Sequence, residues 1–382
     1  MKPESRLGAR PTFFEDDLPC VLAQIADILR GGKLILGPHA EALEAEFANR
    51  IGVRHAVSVA SCSAALEITI RWAMASRKMP SGDVILPSNT FAATVTAALR
   101  AGLTPVFCET DARDYCLDVE DAISRLSDRT VAVVVVHLAG FIPHGIALLH
   151  GECERRGIPI IEDCAHAAGA SLDDRMAGAI GAAGCFSFYP TKVLTCGVGG
   201  MITTDHDDLA TMARTLRHHG VGSSMEEIVE LGSDWLMDEV RAVIARAQLR
   251  RLDEILVHRR AVALSYKQEL SGSGLIRLPV AAPGCEPAFY KFPVALPDGV
   301  DRDRVRTLLR ERHGIETGTL YDPPAHQMPA FQSVARGVSL PWTDALLARQ
   351  LCLPMHLGVD PADCGEIVAT LEAMVVEEAR AC

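Results

Sequence analysis

A lysine and an aspartate frame the chemistry this chain can do. Lys192 closes the run Ser187-Phe188-Tyr189-Pro190-Thr191-Lys192, and Gly197-Val198-Gly199-Gly200 follows closely. Upstream, Glu162-Asp163 ends the apolar run Ile158-Pro159-Ile160-Ile161. A lysine held on a stiff turn can form a Schiff base with an aldehyde, and a carboxylate facing it can keep an aromatic ring nitrogen protonated. Those two requirements together point to pyridoxal 5'-phosphate (PLP). A lone lysine after a strand is ordinarily a surface residue, so the residues around it must carry the reading.

Two strands have to deliver this pair. One is the run ending at Asp163, the other Gly184-Cys185-Phe186-Ser187-Phe188 before the lysine. Both are expected to emerge at the same edge of a parallel sheet, where open α/β folds bind ligands. A phosphate needs its own cradle. Ser61-Cys62-Ser63-Ala64-Ala65 lies where a strand becomes a helix, so free amides, hydroxyls and the helix dipole converge there on an anion. Serine is also a common helix N-cap, which makes this segment weak evidence alone. Ser187 adds a third hydroxyl. Phe91, in Pro87-Ser88-Asn89-Thr90-Phe91, starts a helix at another strand end and is placed to lie flat on an aromatic ring, although a core phenylalanine fits there equally well.

From about residue 53 to 205 apolar strand-like runs alternate with amphipathic helical ones, the pattern of a mostly parallel sheet covered by helices. Ala56-Val57-Ser58-Val59 leads into a helix over 63–74, and Val84-Ile85-Leu86 into one over 90–100. Residues 104–107 and 131–136 read as further strands, the second apolar on both faces and therefore central. A long helix over 239–270 then leaves this region. Strand 289–294, a helix near 302–311 and a last helix over 361–378 complete a smaller α+β part. The expected division is a large cofactor-binding domain, 1–255, and a small C-terminal domain, 256–382.

Composition narrows the class. The 382 residues carry 37 basic and 49 acidic side chains, a net charge of −12. Without a basic block, nucleic-acid binding is not expected. The 12 cysteines are scattered, several within apolar runs, and none forms a CxxC pair. Buried, reduced thiols in a cytoplasmic protein explain them better than disulfides or a metal site. No signal peptide or membrane-length apolar run is seen.

With these residues in place, the chain resembles the DegT/StrS family of PLP-dependent aminotransferases. These have the aspartate-aminotransferase type of fold and act mostly on nucleotide-linked keto sugars and cyclitol ketones. The resemblance runs over nearly the whole chain. It begins at Leu34-Ile35-Leu36-Gly37-Pro38 and passes through Ser61 to Leu66, Pro87 to Phe91, Val136-His137-Leu138-Ala139-Gly140 and Glu162-Asp163-Cys164-Ala165-His166-Ala167. It continues through Phe186 to Lys192, His219-Gly220, Thr317-Gly318-Thr319-Leu320-Tyr321, His326 and Leu353-Pro354-Met355-His356. The resemblance implies that Lys192 forms the Schiff base and then shuttles the proton, and that Asp163 pairs with the ring nitrogen. His166 would hydrogen-bond the phenolic oxygen, Phe91 would stack on the ring, and Ser61, Cys62, Ser63 and Ser187 would hold the phosphate. It further implies an amino-acid donor, glutamate or glutamine, pyridoxamine phosphate as the alternate cofactor form, and a homodimer with shared active sites.

Four positions depart from the family pattern. Cys62 stands where a glycine usually falls in the phosphate loop, and Val198 replaces a usual glutamate. Gly232-Ser233-Asp234-Trp235-Leu236 lies where the family reaches a neighbouring cofactor's phosphate with an asparagine, followed soon by an arginine. An aspartate at 4 Å from a phosphate charge would repel it by about 4 kcal/mol at an effective dielectric near 20. Asp234 is therefore either part of an altered phosphate site or an N-cap for a helix starting near Leu236. Leu236 removes the cation expected for the donor's carboxylate. Two rival functions exist: sugar dehydration, whose enzymes carry histidine at the Lys192 position, and a non-catalytic regulator on the same fold.

Overall fold

The computed structural model describes residues 6–381. Its main sheet has seven strands: β1 (His55–Val59), β2 (Asp83–Pro87), β3 (Thr104–Cys108), β4 (Thr130–Val136), β5 (Ile160–Asp163), β6 (Ala183–Ser187) and β7 (Gly200–Thr204). Their order across the sheet is β1-β7-β6-β5-β4-β2-β3. Only β7 is antiparallel to its neighbours, so the other six strands end at one edge. The expected α/β architecture is what is seen. β4 is buried along its whole length, as its run of valines on both faces requires.

Helices cover both faces of the sheet because each follows a strand and must bury an apolar side against it. Cys62–Arg77 follows β1, starting one residue earlier and ending three later than expected. Ala92–Arg100 follows β2, with Phe91 as its N-cap residue. The strand β7 was not expected. It opens on Gly200, where a Cβ would lie 2.5 Å from the Ser61 carbonyl carbon and 2.6 Å from the Cys62 nitrogen. Only glycine allows the sheet to pass that close to the loop between β1 and its helix.

The long helix expected over 239–270 is two helices, Glu239–Arg250 and Leu252–Leu270. At Arg251 the backbone turns to φ −93°, ψ 0°, and the guanidinium leaves the helix to meet Asp17 at 3.0 Å and to cover the Phe14 ring. The second helix belongs to two cores. Leu252, Ile255 and Leu256 pack into the core of the large sheet. Val262, Ala263, Tyr266 and Leu270 pack with β8 (Phe292–Ala295), β9 (Gln350–Leu353) and the helices Arg302–His313 and Cys364–Ala381. The boundary expected at residues 255 and 256 thus falls inside this helix.

β8 begins three residues later than expected. Phe289 has φ +46°, a left-handed conformation that a bulky side chain adopts only when its surroundings hold it. That turn delivers Tyr290 to the edge of the large sheet. Arg259, fully buried, fixes it by donating to the carbonyls of Phe289, Tyr290 and Met355 at 3.0, 3.3 and 3.1 Å.

Candidate active site

A cavity of about 370 Å³ opens at the sheet edge where β1, β2, β5 and β6 end. The structure brings to its wall eight of the nine positions expected from sequence: Ser61, Cys62, Ser63, Phe91, Asp163, His166, Ser187 and Lys192. Asp234 is not among them.

Asp163 ends β5 and is buried beneath the cavity. Thr94 donates to its Oδ2 at 2.9 Å and the Ala165 amide to its Oδ1 at 3.1 Å. Burial raises its pKa, while these two donors and Lys192 work the other way. A buried carboxylate of this kind is stabilised further by a protonated partner in the cavity. Its sequence neighbour Glu162 points to the opposite side of β5. There it accepts from the amides of Gly178, Ile180 and Gly181 at 2.7–2.8 Å and pairs with His137 Nε2 at 2.7 Å. Glu162 thereby anchors the strand end that carries Asp163.

Lys192 sits on the turn after β6, its amide donating to the Tyr189 carbonyl at 2.9 Å. Its Nζ lies 4.5 Å from the centre of the Tyr290 ring. Burial lowers its pKa to about 8, against the pull of Asp163. The neutral, nucleophilic form of this amine is therefore far more accessible near neutral pH than that of an ordinary lysine.

The phosphate cradle is formed by the start of the helix Cys62–Arg77. Ser61 Oγ accepts from the Ala64 amide at 3.3 Å as an N-cap. Among the described residues the Cys62 and Ser63 amides have no protein acceptor, and both residues lie at the cavity wall. The side chain of Cys62 does not obstruct them. Its thiol is buried, 3.4 Å from the Cys185 carbonyl and 3.9 Å from Asp163 Oδ1, and burial raises its pKa well above the ordinary range.

His166 accepts from the Ala139 amide on Nδ1 at 3.2 Å, so the ring proton lies on Nε2, 3.0 Å from the Tyr321 hydroxyl. Burial lowers its pKa well below the ordinary histidine value and keeps the ring neutral. Tyr290 packs on it at 4.2 Å between ring centres and shares a hydrogen bond with Thr191 at 2.8 Å. Phe91 is 59 % exposed at the cavity mouth, 5.9 Å from the Tyr321 ring.

The helix-capping reading of Asp234 is overturned. Asp234 is exposed, outside the cavity of its own chain, on a segment bridged to His218. It does not cap a helix. The helix begins at Glu239, and Asp238 caps it by accepting from the Arg241 amide at 2.8 Å. Leu236 is buried between these points.

The geometry can now be set beside known proteins. Residues 20–372 match the model of the DegT/DnrJ/EryC1/StrS aminotransferase family. The chain belongs to this family. It is 36% identical over 353 residues to a dTDP-3-amino-3,4,6-trideoxy-alpha-D-glucose transaminase of Micromonospora megalomicea subsp. nigra, covering 90% of this chain and 91% of the relative. To a UDP-N-acetyl-3-dehydro-alpha-D-glucosamine 3-aminotransferase of Acidithiobacillus ferrooxidans it is 37% identical over 336 residues, 88% of each chain. Among solved structures, DesV of S. venezuelae in complex with a ketimine intermediate superposes with a TM-score of 0.87 at 33% identity, over 96% of this chain and 99% of that one. The aminotransferase TlmJ of Streptoalloteichus hindustanus gives a TM-score of 0.87 at 31% identity, over 97% and 99%.

The protein is thus an aminotransferase, and its cofactor is PLP. The residues present fit that group. A helix start with unused amides suits the phosphate, a buried carboxylate suits the ring nitrogen, and an amine of lowered pKa suits the aldehyde. Thr94, Thr191, Tyr290, Lys291 and Tyr321 also belong to this site or support it, and no role was read for them from sequence. For Thr94 a signal existed: it follows Phe91 by three residues, on the same helical face turned to the sheet edge.

Proposed function

We propose that this aminotransferase moves the amino group of glutamate or glutamine to a nucleotide-linked keto sugar. The observation that carries the reading is the facing of Lys192 and Asp163 across one cavity, with the lysine's pKa lowered to about 8. Bound PLP supplies an electron sink for the carbanion formed when a substrate carbon loses its proton. Lys192 would hold the cofactor's aldehyde carbon and, once displaced by the substrate amine, its own amine would accept and return the proton. Asp163 keeps the ring nitrogen protonated, with Thr94 and the Ala165 amide fixing its two oxygens. His166, whose Nε2 lies 3.0 Å from the Tyr321 hydroxyl, would donate its proton to the cofactor's phenolic oxygen. Ser61, Ser63, Ser187 and the amides of Cys62 and Ser63 take the phosphate, and Phe91 covers the ring.

The nucleotide sugar is favoured by the names of the two relatives, both transaminases of nucleotide-linked sugars. A homodimer is favoured by the apolar rim of the cavity. Phe91, Tyr189 and Val198 are exposed there, and Leu231, on the segment leading to Asp234, is 81 % exposed. A second copy placing its 225–235 segment over this mouth would bury them and bring its Asp234 toward the phosphate. The eleven cysteines among the described residues are free, which suits a reducing cytoplasm, and no helix among those residues is long and apolar enough to cross a membrane.

The test is spectroscopic. Glutamate or glutamine bleaches the yellow holoenzyme, and a nucleotide-linked keto sugar restores the colour with the aminated sugar appearing by mass spectrometry. Restoration by cyclitol ketones alone would overturn the sugar assignment.

A further inference from the structure

The cofactor chemistry uses one amine of the cavity, and the cavity wall carries two. Lys291 lines it together with Lys192. Its Nζ stands 6.0 Å from the ring centre of Tyr290 and 5.9 Å from that of Tyr321. Lys192 Nζ lies against that same Tyr290 ring. The two ammonium groups therefore share one aromatic wall.

Lys291 is not there by accident of the surface. The left-handed Phe289 and the clamp of Arg259 fix the short stretch 289–291, and Phe292 next to it is fully buried. The side chain is half-buried and donates to the Thr319 carbonyl at 2.5 Å. An ammonium has three donors, so two are left over. Among the described residues Lys291 forms no ion pair. Among the described residues the one acidic side chain in the cavity wall is Asp163, whose oxygens are held by Thr94 and the Ala165 amide. A half-buried ammonium with donors to spare is a ready partner for an anion entering the cavity.

An amino-acid donor brings that anion. Its amine must reach the place where Lys192 Nζ stands, and its α-carboxylate is attached to the same carbon. The carboxylate thus enters the cavity that both lysines line, on the Tyr290 side of Lys192. The segment Gly232–Leu236 offers no cation to receive it, since Leu236 is apolar and buried and Asp234 is acidic. We propose that Lys291 is the binding residue for the α-carboxylate of the amino donor, and for that of the keto acid it becomes. The proposal rests on the amino-acid donor put forward above.

The experiment uses the holoenzyme and its Lys291→Met and Lys291→Arg variants. Three quantities are measured: the PLP affinity of each apoprotein, the Kd for glutarate read from the cofactor's absorption, and the half-saturating concentrations in single-turnover reactions. Those reactions use glutamate, 4-aminobutyrate, which lacks the α-carboxylate, and in the reverse direction a nucleotide-linked sugar. Lys291→Met is expected to weaken glutamate and glutarate about 10- to 100-fold, the scale of losing one charge-assisted hydrogen bond. PLP affinity, the response to 4-aminobutyrate and the half-saturation by the nucleotide sugar stay as in wild type, and Lys291→Arg recovers most of the glutamate affinity. Normal PLP binding shows that the variants are folded. Equal glutamate affinity in Lys291→Met would overturn the proposal, as would a loss confined to the nucleotide sugar, which would put its phosphates on Lys291 instead. If wild type is bleached by no amino acid, the donor reading fails first and the proposal with it.

Discussion

The hydroxyl of Thr94 donates to Asp163 Oδ2 at 2.9 Å from the first turn of the helix that Phe91 begins. Thr90 in turn shares a hydrogen bond with Thr94 at 2.8 Å, so a short polar chain runs from the cavity wall to the buried carboxylate. This chain fixes the orientation of Asp163 before any ligand arrives. Preorganisation of that kind costs nothing at the moment of reaction.

Thr94→Val removes the donor and leaves one carboxylate oxygen unpaired in a buried place. A roughly tenfold fall in kcat is expected, with Thr94→Ser restoring most of it. Asp163→Asn, which cannot hold a ring proton, is expected to fold normally and to lose about 100- to 1,000-fold. Steady-state kinetics beside thermal unfolding curves separate the two effects. A fully active Asp163→Asn would place the ring nitrogen elsewhere.

Lys192 gives a pH prediction. Burial favours its neutral form, so the folded pKa of about 8 lies below the unfolded value near 10.4. Between these values the unfolded chain binds more protons, and the Lys192 contribution makes the apoprotein more stable as pH rises through that window. Below about 8 the cost of holding a buried ammonium is present in full. Labelling of Lys192 in the apoprotein by an amine-reactive reagent is therefore expected to have its midpoint near pH 8. Its rate falls about tenfold per pH unit below that. A midpoint at the value of exposed lysines, read by mass spectrometry, would contradict it.

Parts of this arrangement were legible in the sequence because they are local. The valine run of β4 cannot be anything but a central strand, and Asp163 and Lys192 each sit within a short motif at a strand end. Tyr290, Lys291 and Tyr321 are different. They arrive from residues more than a hundred positions after Asp163; the left-handed turn at Phe289 shows where Tyr290 and Lys291 go, and the contact with His166 shows where Tyr321 goes. β7 was hidden because its first residue is a glycine chosen for clearance from Ser61 and Cys62, not for strand propensity. Asp234 reads as a possible helix cap in the sequence, but the helix starts later and the backbone gives the capping role to Asp238. At Arg251 a charged residue with good helix propensity stands between two helices, its guanidinium paired with Asp17 at the start of the chain's first α-helix.

Asp234 supplies a test of the dimer. It plays no part in capping, and its carboxylate is exposed in one chain. If it faces the neighbouring phosphate, Asp234→Asn exchanges a repulsion for a donor. PLP affinity is then expected to rise about five- to 150-fold, in a protein that sediments as a dimer. An unchanged affinity by titration of the apoprotein, or a fully active monomer, would contradict the shared site.

The central claim is that Lys192, and not the second lysine of the cavity, holds the cofactor. Borohydride reduction of the PLP-loaded enzyme followed by peptide mapping tests it directly. The account predicts that the reduced cofactor's mass is found on the peptide carrying Lys192 and is lost in Lys192→Ala, which still binds PLP noncovalently. Cofactor mass on the Lys291 peptide, or none fixed at all in wild type, would contradict it.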